Sequence, residues 1–204
     1  MLKSRPSLVP RRYYINLYEI AKSVSSSLRV YEVLSTLVQS TVSALDAKGC
    51  AVLLLSPDKK RWWYGATWGL SESYVSKSPI STDESIIEAF SKVPSVLVFK
   101  ASEDERVQYR EEARKEGIAS ILSVPLTVKG SVIGVLGVYT SDPRVFPEEE
   151  VNFVEAVAGL AAIALQNARL YEWVRRGDID IASDLLEWSA SWEQAERYPP
   201  PPPF

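Results

Sequence analysis

The chain has 204 residues, with 23 Lys and Arg against 26 Asp and Glu, a formal charge of −3, a hydrophobic fraction of 46%, one Cys and no His. That length and apolar content suit one folded domain with extensions, or at most two small ones, and they exclude disorder throughout. The mildly acidic balance argues against the basic footprint of a nucleic-acid binder. The missing histidine removes Ser-His-Asp and Cys-His nucleophiles, imidazole-bound zinc or haem, and a histidine phosphoacceptor. Cys50, being alone, forms neither an internal disulfide nor a thiolate metal site.

No unbroken apolar run reaches the roughly 18 residues of a membrane span, and the opening residues MLKSRPSLVPRRYY lack the apolar stretch of a secretory signal. A cytoplasmic location is expected, with neither membrane nor nucleic acid as a partner. Lys3, Arg5, Arg11 and Arg12 precede the first acid, Glu19, so residues 1–12 read as a basic arm.

From Tyr13 to Ser25 the chain reads as a first helix. After a serine interruption, Leu34, Leu37, Val38, Thr41 and Leu45 mark one face of a second, which Gly49 is expected to stop. Cys50–Ser56 and Arg61–Trp68 read as two strands joined through Pro57-Asp58-Lys59-Lys60. Ser81-Thr82-Asp83-Glu84 has capping-box spacing and predicts a short helix ending before Pro94. Ser95–Phe99 is strand-like, and Glu105–Lys115 is a charged helix stopped at Gly117. Ile121–Val128 and Val132–Tyr139 form a hairpin across Lys129-Gly130, with Pro125 at an edge, a bulge or an unpaired site.

A long helix starts at Pro147, carries Glu148, Glu149 and Glu150 at its positive end, and closes at Arg175-Arg176-Gly177. Its cluster Ala158, Gly159, Ala161, Ala162 and Ala164 permits close approach, either as a dimer seam or toward the sheet, and both uses are expected. Residues 177–198 form an acidic, amphipathic helical extension carrying Ile181, Leu185, Trp188 and Trp192 at steps of 4, 3 and 4, a plausible partner contact. Residues 199–204 form a polyproline tail. The order of elements predicts an α+β fold, an antiparallel sheet with the terminal helices layered on one face.

The stretch from Gly117 to Glu172 closely resembles the C-terminal half of GAF domains. It joins S-x-P-L (Ser123, Pro125, Leu126), G-x-x-I-G-V-L (Gly130, Ile133, Gly134, Val135, Leu136), Phe146 with an acidic helix start, and A-L-x-N-A-x-L-Y from Ala164 to Tyr171. S-S-L-x-V-x-E-V-L before the second helix and G-C-A-V-L-L-L on the first strand extend the resemblance over about Tyr13 to Arg175, and residues 13–176 are taken as the domain. The resemblance implies a regulatory module with a small-molecule pocket on the sheet face opposite the helices, and terminal helices that pair two subunits.

Specialised members of that family are less well matched. Covalent bilin attachment uses a Cys beside a His, whereas this chain has no His and holds Cys50 on its first strand. The N-K-x-x-F-x-x-x-D-E pattern of cyclic-nucleotide binders is absent. Free-methionine-sulfoxide reductases use several cysteines, and one Cys cannot both attack and resolve. The chain also departs from many relatives at Asp83-Glu84-Ser85-Ile86, where they carry glycines, and at Val98-Phe99-Lys100, where they carry an Asp. No cofactor is expected; bilin, haem and zinc are each disfavoured.

Cys50 is expected to be inert core. Two-residue alternation puts Trp62, Tyr64 and Trp68 on one strand face, as pocket lining or as core, with Trp63 opposite. Ser85, Tyr109, Ser120 and Ser123 lie on elements that surround the family's pocket, where they either orient a ligand or serve as caps and exposed polar groups; Phe99 is equally ambiguous. No acidic pair has catalytic spacing. The expected function is a non-catalytic, homodimeric GAF sensor that binds a small molecule and signals to a partner protein. The alternative is a ligand-free GAF-fold scaffold that docks partners through its C-terminal extension.

Overall fold

The computed structural model describes residues 10–26, 29–76, 80–82 and 84–176. The chain divides into two compact units, Met1–Gln166 and Asn167–Phe204, and of the second only residues 167–176 are described. The amphipathic extension and the polyproline tail lie outside the described residues.

Two helices open the domain, α1 (Arg11–Ser26) and α2 (Val30–Leu45), and a hairpin of β1 (Gly49–Leu55) and β2 (Arg61–Trp68) follows. α1 starts two residues earlier than expected, Arg11 and Arg12 being its first turn rather than part of an arm. α2 buries the stripe read from the sequence, Leu34, Leu37, Val38, Thr41 and Leu45, along with Val33 and Ala44. What stops it is not Gly49. Asp46 turns left-handed at φ 51° and sends its N–H to the Val42 carbonyl, whereas Gly49 already pairs with Tyr139 as the first residue of β1.

The middle of the chain holds short elements: α3 (Glu72–Val75), β3 (Ile80–Ser81), α4 (Glu84–Lys92), β4 (Val96–Val98) and α5 (Arg110–Glu116). Neither α3 nor β3 was legible as periodicity, because four and two residues carry no period. Ser81 is not a helix cap; it pairs with Arg61 at the end of β3, and α4 starts at Glu84. α5 is shorter than expected because Asp104 captures the Arg106 N–H at 3.0 Å and holds the preceding residues in turns. Gly117 stops it as anticipated, at φ 74° with its N–H on the last turn.

The hairpin β5 (Ser120–Val128) and β6 (Ser131–Thr140) turns through Lys129 and Gly130, both at positive φ, as a two-residue primed turn requires. The last helix is α6 (Glu148–Arg176). All strand pairs are antiparallel, in the order β3-β2-β1-β6-β5-β4. β4 pairs only with Ile121, Leu122 and Ser123, so Pro125 falls on open edge beyond it, where a residue without a donor is tolerated. Gly134 is fixed by proximity: a Cβ there would stand 2.6 Å from the Leu53 carbonyl oxygen of β1.

β1 and β6 are buried on both faces. On one face Cys50 and Val52 join Leu37, Val38, Leu136, Val138 and the α6 residues Phe153, Val154, Val157, Ala158, Ala161 and Ala162 in the main core. The small-residue cluster therefore packs inward, while Gly159 stays exposed. The segment Glu148–Tyr171 reaches a mean hydropathy of 1.3 over eighteen residues, enough by length and composition to cross a bilayer; Phe153, Val154, Val157, Ala158, Ala161 and Ala162 belong to this core, whereas Ile163 is half exposed. Tyr13 stacks on Phe153 at 4.9 Å and donates to Glu150 at 3.3 Å, holding α1 against α6. Arg144 ion-pairs with Glu150, donates to the Leu45 carbonyl at 3.2 Å, and through its backbone N–H reaches Ser120 Oγ at 3.0 Å.

The other face is covered by α3–α5 and their loops, and Glu116 ties these down. Its carboxylate accepts the Ser71 N–H at 2.9 Å, accepts the Ser71 hydroxyl, and lies 3.6 Å from Lys48 Nζ. Burial opposes ionisation there, but the Ser71 hydrogen bonds and Lys48 outweigh it and hold the carboxyl below its ordinary range. Glu116→Gln is expected to cost about 1–3 kcal/mol at neutral pH. A carboxyl with a lowered folded pKa stabilises above its unfolded value and loses that contribution as pH falls. Urea denaturation of the two proteins should therefore show a gap that closes below about pH 4.

Candidate functional site

β2 sets the lining of the second face. Val52 pairs with Ala66 but Leu53 pairs with Tyr64, so Gly65 is an extra, bulged residue. The bulge reverses the alternation along the strand. Trp62 and Tyr64 face the α3–α5 side, in a cluster with Ala51, Leu53 and Leu55, whereas Ala66 packs into the main core. Trp68 pairs with Cys50, a main-core residue, and is 48% exposed. Trp62, Tyr64 and Trp68 thus do not share a face. A Cβ at Gly65 would meet Leu54 Cδ1 at 2.9 Å, so the bulge sits where only a glycine fits without displacement.

On this face lies a cavity of about 510 Å³, within the usual range for small-molecule sites. Its floor is the sheet: Tyr64, Val96, Val98, Ile121, Ser123 and Tyr139. Tyr74 from α3, Phe90 from α4, and the turn residues Arg106, Val107, Gln108 and Tyr109 complete the wall. Of the residues expected at a ligand site, Tyr64, Tyr109 and Ser123 line it. Trp62 is buried in the neighbouring cluster without lining the cavity, and Phe99 is 44% exposed and outside it. Ser120 is a structural residue, fully buried; its hydroxyl donates to the Phe99 carbonyl at 2.6 Å and accepts the Arg144 N–H. Ser85 belongs to α4, but its side chain is outside the described residues.

Two tyrosines escaped the sequence reading. Tyr74 sits on the four-residue helix, and Tyr139 looked like the end of an apolar strand. Their rings meet edge to face at 6.2 Å, and the Tyr64 and Tyr139 phenols hydrogen-bond to each other. Tyr139 lies back over Gly137, where an added Cβ would approach its Oη to 2.9 Å. That glycine is the signal that was available: a side chain two residues before Tyr139 on the same face would occupy the space its ring uses.

Burial pushes the Tyr64 phenol up to about 12 against the lowering effect of its Tyr139 hydrogen bond. Burial, then neighbouring Tyr64 and two glutamates, raises Tyr74; burial, then Tyr64 and Tyr74, raises Tyr139 well above the ordinary phenol value. All three remain neutral hydrogen-bonding groups at physiological pH. At the cavity's rim, Arg106 Nε and Nη2 donate to the Asp104 carboxylate at 2.8 and 2.5 Å, and Nη2 reaches the Leu97 carbonyl at 3.2 Å. The Arg106 hydrogen bonds hold the Asp104 carboxyl at about 2.

Cys50 is fully buried on the opposite face, and burial raises its thiol far above the ordinary value despite a hydrogen bond with Thr41. It is packed core, protonated and shielded, as expected for an inert residue. Among the described residues no group of three His, Cys, Asp or Glu is placed to hold a metal ion.

The GAF domain profile matches residues 27–166, more than half of the chain, and the protein belongs to the GAF domain family. A phosphoenolpyruvate-dependent phosphotransferase system protein of Escherichia coli K12 is 26% identical over 155 residues, covering 76% of this chain and 21% of that protein. A methyl sulfide methyltransferase-associated sensor of Methanosarcina acetivorans is 26% identical over 165 residues, covering 78% of this chain and 16% of the sensor. The chain thus spans about a fifth of the length of these curated relatives. In fold, the GAF domain of a Coxiella burnetii phosphoenolpyruvate-protein phosphotransferase superposes with a TM-score of 0.69 at 22% identity, over 79% of this chain and 96% of that one. The family is found in sensor and regulatory proteins, and the curled six-stranded sheet with its helices is the GAF-like α+β fold.

The buried phenols predict a measurable alkaline weakness. Above about pH 10 the unfolded chain ionises tyrosines that the folded chain keeps protonated, so stability present below that pH falls as pH rises, by about 1.4 kcal/mol per pH unit for each such phenol. Tyr139→Phe removes one of them. Between pH 10 and 11, where the unfolded phenol is still partly protonated, denaturation should show a fall in stability smaller by about 1 kcal/mol; an unchanged fall would mean that Tyr139 ionises as freely folded as unfolded.

Proposed function

We propose that this chain is a non-catalytic regulatory module of the cytoplasm that takes a small molecule into the tyrosine-lined cavity and passes the occupied state, through paired helices, to a partner protein. The cavity carries the reading. A scaffold that had filled this face would use its strand tryptophans to do so, yet Trp62 packs beside the space, while Trp63 and Trp68 are about half exposed and line none of it. The non-catalytic part is supported by the sealed, protonated Cys50 and by cavity walls whose phenols are poor bases because burial holds their protons.

Relay requires the ligand to favour one of two arrangements of the domain. The elements closing the cavity are short helices and turns on the sheet floor, and the same central strands form the base of the main core. Ordering the cover around a ligand would thus act on strands that the α1–α2–α6 layer also contacts. Pairing of two chains is proposed through the first and long helices, where α1 presents Tyr14, Ile15 and Tyr18 to solvent while Tyr13 and Ile20 are buried. The partner contact is assigned to the Ile181, Leu185, Trp188 and Trp192 segment.

Two measurements check this. In a thermal-shift screen of small metabolite-like compounds, hits are expected to raise the melting temperature of the chain and to lose that effect in Ser123→Phe, which fills the cavity; hits equally active on a folded Ser123→Phe protein would place binding elsewhere. By light scattering the chain should have twice its 22.8 kDa mass, and Tyr14→Ser with Tyr18→Ser should reduce it to one; a monomeric parent protein would remove the dimer from the account.

A further inference from the structure

Resting on that reading of the cavity, we propose a ligand class for it: a planar, apolar molecule with a single carboxylate, an aromatic monoacid whose ring lies among the tyrosines and whose anion meets Arg106.

The wall chemistry selects the body of the ligand. Phe90, Val98, Val107 and Ile121 give apolar contact, and the Tyr74 and Tyr139 rings stand edge to face. Such surfaces reward a flat, π-rich molecule. No carboxylate side chain is among the lining residues, so nothing there would favour a cation as an ion pair. The phenol and Ser123 hydroxyl groups offer neutral hydrogen bonds to a polar atom on the ring without demanding a second charge.

The rim selects the charged end. Arg106 is the one charged residue lining the cavity among those described, and its side chain is 58% exposed. An anion held there stays close to water while the apolar body is buried, which avoids most of the desolvation that a deep charge would cost. The guanidinium is already positioned: Nε and Nη2 are engaged by Asp104 and the Leu97 carbonyl, leaving Nη1 without a hydrogen-bond partner among the described residues. A preoriented donor edge loses little freedom when it binds. Asp104 also sets the size of the charge. Ionised beside Arg106, it makes the pair neutral overall, so one negative charge gains a directed hydrogen bond while a dianion meets the repulsion of Asp104.

The test uses the full chain with 2-naphthoate, neutral 2-naphthamide and 2-naphthyl phosphate as calorimetric probes. The acid should bind more tightly than the amide and the phosphate. Arg106→Gln should weaken the acid by roughly 10- to 100-fold, the range expected for a hydrogen bond to a charged group, and leave the amide within about twofold. Ser123→Phe should abolish binding of all three. Asp104→Asn, which keeps the arginine and removes its counter-charge, should raise the affinity for the phosphate more than that for the acid. Should Arg106→Gln fail to fold, the Asp104→Asn comparison still decides the matter. Acid binding that is indifferent to Arg106, or an unchanged phosphate-to-acid ratio in Asp104→Asn, overturns the ligand class. Amide binding lost in Ser123→Phe would then leave the cavity reading standing, whereas probe binding that survives in a folded Ser123→Phe protein overturns both. Absence of binding by all three probes overturns the proposed class, and the thermal-shift screen separately reports whether other chemistry occupies the cavity.

Discussion

The organisation of this domain depends on β1 and β6 lying at the centre of the sheet with both faces buried. A strand covered on both sides needs two different layers, and the chain supplies them with unequal material. The helices at the two ends are long enough to bring continuous apolar stripes to one face, where Leu37, Val38, Val154 and Val157 are fully enclosed. The opposite face receives only four-, nine- and seven-residue helices, joined by turns held in place by Asp104 and Glu116. Short elements carry fewer inward-facing side chains than a long helix does, and about 510 Å³ remains unfilled over Tyr139 and Ile121. Core and cavity are therefore two consequences of one asymmetry in coverage.

Much of this architecture was legible in the sequence wherever an element is long enough to repeat its pattern. The α2 stripe, the Lys129-Gly130 hairpin and the acid-started α6 all carry several concordant signals, and each forms close to where it was read. Short elements gave less. Ser81 illustrates the difficulty: its spacing from Glu84 fits a cap, but pairing with Arg61 on the edge of the sheet engages the same residue first. Asp46 shows a second limit, since a left-handed aspartate stops α2 three residues before the glycine that propensity favours.

The site was legible in part, and its misses share a cause. Alternation along β2 was the right rule applied across an irregularity that it cannot see; the bulge at Gly65 keeps Tyr64 in the cavity and turns Trp68 away. Ser120 lies in the alternation of Leu122, Val124 and Leu126, on the main-core face rather than the cavity face, and its hydroxyl is consumed by the Phe99 carbonyl and the Arg144 N–H. Which polar residue supports the backbone and which faces open space depends on long-range partners, here 21 and 24 positions away. Gly134, a motif residue, and Gly137 show the reverse case, glycines whose meaning becomes physical once β1 and the Tyr139 ring are seen against them.

Membership of the GAF family explains the scaffold, while the chemistry of the cavity is set by this chain's own side chains. The space above the sheet is an apolar chamber. Crystals of the full chain held under xenon pressure test it directly, because xenon enters apolar cavities without needing any particular ligand chemistry. The account predicts xenon bound between Phe90, Val98, Ile121 and Tyr139; a xenon-free site with these side chains closed against one another would contradict it.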